Sequence, residues 1–144
     1  MLFRSCRHLI FRSSWIFASR GHNFVRTMLR LGAQRDSLSV IDDQHGAPTG
    51  AELLADVTAH AIMRVAREFD ASGTYHVAAS GVTSWYGYAR HVIDVARAAG
   101  VALQLRPDGI QPVPTSEYPA VAARPLNSRL STEDRKSTRL NSSH

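Results

Sequence analysis

The chain has 144 residues, 44% hydrophobic and 20% charged, with a formal net charge of +5. That is room for one ordinary domain or a portion of one, with enough apolar side chains for a core, and it excludes a chain disordered throughout. A single cysteine, Cys6, excludes an intrachain disulfide and a cysteine-built zinc site. No apolar run approaches the roughly 18 residues of a membrane span, so the expected setting is soluble and reducing.

The positive charge is unevenly placed. Sixteen arginines stand against one lysine, Lys136, which falls in a polar tail, DRKSTRLNSSH, over residues 134–144. This tail has no helical or strand periodicity and resembles a translated sequencing-library adapter, as does the opening MLFRS over residues 1–5. Setting both aside leaves residues 6–133 with a net charge of +2, too little to suggest a nucleic-acid partner. The expected organisation is therefore one piece over 6–133 between two adapter-like ends, with the tail unpacked. Residues 1–20 are rich in Arg and Ser and lack acids, which imitates a mitochondrial transit sequence. The segment His8–Phe17 reads better as a short buried strand running into a loop, ending at the turn signal Ser19-Arg20-Gly21.

In chain order, Asn23 to Arg35 carries Phe24, Val25, Met28, Leu29 and Leu31 on one helical face, with Asn23 as N-cap. Ser37–Ile41 is a short strand candidate, followed by an irregular segment from Asp42 to Gly50. Thr49 and Glu52 have the spacing of a capping box opening a second helix, whose stripe runs Leu54, Val57, Ala61, Val65, Phe69. Thr74–Ala78 reads as a strand. Thr83 or Ser84 caps a third helix with Trp85, Tyr88, Val92, Val95 and Ala99 at helical spacing, closed by Gly100 as a left-handed residue. Val101–Leu105 is a further strand, and the prolines from Pro107 to Pro125 forbid long regular elements beyond it. The alternation of strand and helix predicts an α/β fold.

Several chemistries are excluded. The chain has no G-x-G-x-x-G, G-x-x-x-x-G-K, H-E-x-x-H or G-x-S-x-G motif, and its seven histidines form no close pairs, so no metal site is expected. No tyrosine is followed four residues later by lysine, so no catalytic Tyr-x-x-x-Lys pair is present. Four segments stand out. FRSSW (Phe11–Trp15) ends a predicted strand, where α/β proteins bind ligands; it offers two hydroxyls and an indole, or else a core tryptophan with loop serines. Asn23 heads a helix whose free amides suit phosphate oxygens, or is a plain cap. DDQHGAPT (Asp42–Thr49) lines a pocket, or is loop architecture with Asp42 or Asp43 bonding backbone amides. In the Pro-rich stretch from Pro114 to Leu130, Arg124 and Arg129 either fork onto a phosphate or carboxylate or are surface arginines.

FRSSWIF, NFVRTMLRLG, IDDQHGAPTG, LLADVTAHA, GTYHVAASGVTSW and PVPTSEYPAVAARPLNSRL, in this order, resemble the C-terminal part of dTDP-4-dehydrorhamnose reductases, over residues 7 to about 132. These are members of the extended short-chain dehydrogenase/reductase superfamily. The resemblance implies the C-terminal part of a Rossmann-like parallel sheet plus a small substrate-binding lobe. It also implies NADPH- or NADH-dependent reduction of the C4 ketone of dTDP-4-dehydro-L-rhamnose, with Mg²⁺ as a candidate metal, in a cytoplasmic protein that forms a homodimer when full length. The family's dinucleotide fingerprint and Tyr-x-x-x-Lys pair belong to an N-terminal half, so no catalytic residue is assigned here. By similarity Trp15 faces the sugar, Ser13 and Ser14 lie near the nicotinamide, and Asn23, Gln44 and Arg124 lie on the nucleotide-sugar side. The alternatives are a related nucleotide-sugar epimerase or dehydratase, or a non-catalytic binding homologue of the methionine adenosyltransferase β-subunit type. Taken alone, the chain is expected to be inactive and marginally folded, exposing Leu9, Ile10 and Phe11 at an open sheet edge.

Overall fold

A computed structural model of the chain describes residues 8–67, 72–118 and 124–133. The adapter-like ends 1–5 and 134–144, Cys6 and Phe69 lie outside the described residues. The elements in order are β1 (Leu9–Arg12), β2 (Ile16–Phe17), α1 (Phe24–Gly32), β3 (Leu38–Ile41), β4 (His45–Gly46), β5 (Thr49–Gly50), α2 (Ala51–Arg67), β6 (Gly73–His76), β7 (Thr83–Ser84), α3 (Trp85–Ala98) and β8 (Ile110–Val113), followed by a 3-10 turn at Thr115–Glu117. The α/β class holds. Strands β1 and β6, β2 and β5, and β3 and β8 pair in parallel, while β4 and β7 pair antiparallel.

Helices α1 and α3 begin where side chains can satisfy free amides. Asn23 Oδ1 accepts from Arg26 N at 3.2 Å to open α1, and Ser84 Oγ accepts from Gly87 N at 3.0 Å to open α3. Gly100, at φ +77°, follows the C-cap of α3, a conformation in which a side chain would crowd the backbone. Helices α1 and α3 pack on β3 around Met28, Leu38, Val40, Tyr88, Val92 and Ile93, and Leu105 closes the cluster. Gly32 lets α1 come close to α3: a Cβ there would meet Ile93 Cδ1 at 3.0 Å.

Two expectations are corrected. Residues 101–105 form no strand: Val101 N donates to Ala96 O and Leu105 N to Gly32 O, while Arg97 Nη2 donates to Leu105 O. This segment satisfies its backbone on helix ends, so Leu103 and Leu105 plug the core without a neighbouring strand. The strand beside β3 is instead β8, which contains Pro112. Leu38 N donates to Gly109 O and Asp42 N to Val113 O, so alternate residues turn their backbone to β3 and Pro112, which has no hydrogen to donate, faces away. Thr49 forms no capping box with Glu52. It is a fully buried β5 residue whose hydroxyl donates to Ala47 O and accepts from Ala79 N, leaving nothing for the start of α2.

Candidate functional site

The carboxyl end of β1 runs directly into Ser13, Ser14 and Trp15. Both serine Oγ atoms are buried and have no hydrogen-bond partner, and Ser14 is only 4% exposed. Leaving a buried hydroxyl unpaired costs about 1–3 kcal/mol. Two orphan hydroxyls on consecutive residues at a strand end have the hydrogen-bonding chemistry to fit the polar edge of a cofactor such as a nicotinamide amide. The phenol of Tyr88 is a third orphan, and burial pushes its pKa up to about 12.

Trp15 is the one described residue other than glycine with positive φ, at 44°. A side chain in that left-handed region costs about 1–2 kcal/mol, so neighbours must hold it there. Trp85 stacks on its indole with centroids 3.7 Å apart and planes 13° from parallel. Against the indole also lies Gly46: a Cβ there would stand 2.5 Å from Trp15 Cε2 and 2.8 Å from Cδ2 and Nε1. A point so close to Cε2 and equally far from Cδ2 and Nε1, its two neighbours in the five-membered ring, lies above the ring plane. Since Trp85 fills one face, Gly46 closes the other. Held between them, Trp15 keeps only intermediate exposure. Thr49 N anchors the backbone by donating to Trp15 O at 3.2 Å.

The Asp42–Gly46 segment is braced from two sides. Ser84 Oγ donates to Asp42 Oδ1, tying the segment to the start of α3. Thr115 donates its hydroxyl and its backbone N–H to Asp43, and these two bonds hold the Asp43 carboxyl below its ordinary pKa of 3.8. Gln44 is buried and its Nε2 donates to Thr115 Oγ1 at 3.1 Å. Loop architecture thus accounts for both acids. Asn23 likewise acts as a cap, and its Nδ2 donates to Ala18 O at 2.7 Å. Arg124 is exposed and lies two residues before Leu126, whose carbonyl accepts from His45 N at 2.8 Å. Arg129 Nε donates to Asn127 Oδ1.

The fold thus gathers Ser13, Ser14, Trp15 and Gln44 on neighbouring segments around Gly46. It sets Asn23 at the head of α1, whose first residue, Phe24, lies 4.5 Å from Trp85 by ring centroids. Sequence reasoning missed Gly46, Trp85 and Thr115 as members of this site. Trp85 lay on a helical apolar stripe, where it read as core, and the Thr115–Asp43 contact spans 72 residues, with no local pattern to mark it. Among the described residues no group of three or more His, Cys, Asp or Glu is placed to hold a metal ion, and Mg²⁺ finds no support. No helix among them is long and apolar enough to cross a membrane.

Residues 2–143 match the RmlD substrate binding domain. The dTDP-4-dehydrorhamnose reductases of Escherichia coli (strain K12) and Salmonella typhimurium are each 56% identical to the chain over 127 residues, covering 88% of it and 42% of their own length. Among solved structures, dTDP-4-dehydrorhamnose reductase from Bacillus anthracis in complex with NADP superposes with a TM-score of 0.72 at 34% identity, covering 93% of this chain and 42% of that one. The chain thus spans well under half the length of the relatives it matches, and their names favour neither an epimerase or dehydratase nor a regulatory binding homologue. This chain belongs to the family of the RmlD substrate binding domain.

Proposed function

We propose that the chain is the substrate-binding portion of an NADP(H)-dependent dTDP-4-dehydrorhamnose reductase, which reduces the C4 ketone of dTDP-4-dehydro-L-rhamnose to dTDP-L-rhamnose. The observation that carries the reading is the pair of buried, unpartnered hydroxyls of Ser13 and Ser14 at the carboxyl end of a parallel strand, directly before Trp15. When bound, the nicotinamide cofactor supplies hydride to the carbonyl carbon. Ser13 and Ser14 donate to, or accept from, the nicotinamide edge. Trp15 borders the sugar. Asn23, Gln44 and Arg124 serve the nucleotide-sugar side, Arg124 as an exposed cation two residues before the His45–Leu126 contact. The chain has no Tyr-x-x-x-Lys pair to give the alkoxide its proton, so that acid comes from outside it. A cytoplasmic setting, a homodimer of the full-length protein, and the absence of nucleic-acid and membrane partners belong to the same reading.

The test is a chimera that joins the preceding portion of the Escherichia coli reductase to residues 6–133. The chimera is expected to oxidise NADPH when given dTDP-4-dehydro-L-rhamnose, and the chain alone is expected not to. A folded chimera that binds NADPH but leaves this sugar unreduced would sink the reading.

A further inference from the structure

Trp15 occupies a backbone conformation that a bulky residue does not choose for itself, so its neighbours must determine it. The indole of Trp85 covers one face and Gly46 the other. Trp85 is itself fixed: it is the first residue of α3, directly after the Ser84 cap that bonds Asp42, and Phe24 packs on its ring at 4.5 Å. The indole N–H of Trp15 has no partner among the described residues. We propose that Trp85 is a positioning residue: with Gly46 opposite, it clamps the indole of Trp15 so that only its Nε1–H edge is offered to the sugar. The clamp removes both ring faces from carbohydrate stacking. What is left is a donor, so the recognised feature is an oxygen of the sugar rather than its apolar side. The ligand in this inference rests on the nucleotide-sugar reading; the clamp does not.

Trp15 and Trp85 are the chain's two tryptophans, so indole signals report on this pair alone. The 144-residue chain is expected to show an exciton couplet in circular dichroism, the signature of two stacked indoles; its absence overturns the clamp. In ¹⁵N-tryptophan-labelled Trp85→Ala, the remaining indole N–H signal is expected to broaden or split, and in Trp85→Phe to stay single and sharp. A single sharp signal in Trp85→Ala overturns the proposal. Calorimetric titration with dTDP and dTDP-L-rhamnose reads the consequence. The preference for the sugar nucleotide over dTDP is expected to fall about tenfold in Trp85→Ala, given what an aromatic pair contributes, and to be largely restored in Trp85→Phe, with dTDP affinity unchanged. An unchanged preference in Trp85→Ala overturns the positioning role. Should Trp85→Ala not fold, Gly46→Ala displaces the indole from the other face and is expected to give the same loss; an unchanged preference there overturns the role equally. If the unaltered chain shows the couplet but binds neither nucleotide, the functional reading fails, and the indole signals of the Trp85 variants still decide the clamp.

Discussion

The two sides of the molecule differ in how they treat equally apolar residues. Helices α1 and α3 bury Met28, Tyr88, Val92 and Ile93 against β3, and Ile93 is 0% exposed. Helix α2 is the longest helix among the described residues, yet none of its residues is buried, and Leu53, Ile62 and Met63 stand exposed, Ile62 at 58%. Beside it, β1 leaves Ile10 exposed, while Leu9 and Phe11 are half-buried and Phe11 meets Tyr75 at 6.4 Å. All three helices carry amphipathic stripes. What separates them is a second layer: α1 and α3 cover each other and β3, whereas the outer face of α2 and the free side of β1 have no such cover among the described residues. Parallel strands are ordinarily covered on both faces. Periodicity therefore marks which face wants burial, and only a neighbouring layer grants it.

The largest effect expected from this contrast is at Ile93. Ile93→Ala should destabilise the chain by about 2–5 kcal/mol, because it empties a packed site, while Ile62→Ala should stay within about 0.5 kcal/mol. Thermal or urea melts of the two variants measure the difference, and equal losses would erase the contrast. Next comes Gly46→Ala, whose new methyl would collide with the Trp15 indole 2.5 Å away. A cost of about 1–3 kcal/mol is expected, with a change in tryptophan fluorescence that Ile62→Ala does not share. Removing the α1 cap with Asn23→Ala should cost about 1 kcal/mol in the same melts; no loss would mean that packing on α3 alone holds the start of α1.

The smallest effect is electrostatic. The Asp43 carboxyl is held below its ordinary value by Thr115, so the folded form favours its ionised state. Its contribution to stability is present above the unfolded carboxylate pKa and is lost as pH falls through the lower folded value. Melting temperatures followed downward from neutral pH should therefore drop into the acid range for the unaltered chain, and less steeply for Asp43→Asn. Parallel acid limbs would show that the Thr115 contact does not select the ionised carboxylate.

Much of the local structure was legible in the residues themselves. Asn23 and Ser84 cap helices because their short side chains reach a free amide two or three residues on, and Gly100 ends α3 because a left-handed turn needs no Cβ. The family was legible too, because long motifs recur in order. Other features depended on distant partners. Thr49 looked like a cap, but Ala47 and Ala79 claim its hydroxyl. Val101–Leu105 had the composition of a strand, but β3 was already paired with a segment containing proline. Trp15 stood out as an indole at a strand end, but its contacts with Trp85 and Gly46, 70 and 31 residues away in the chain, had no local mark. The caps of α1 and α3, the helical stripes and the family could be read from the residues alone, since each rests on side chains within a few residues of one another or on long runs of matching residues. Which stripe is buried and which strand pairs with β3 followed instead from the packing of distant segments. Hydrogen bonds and ring contacts are short-ranged, and which groups come within reach is set by how the layers pack.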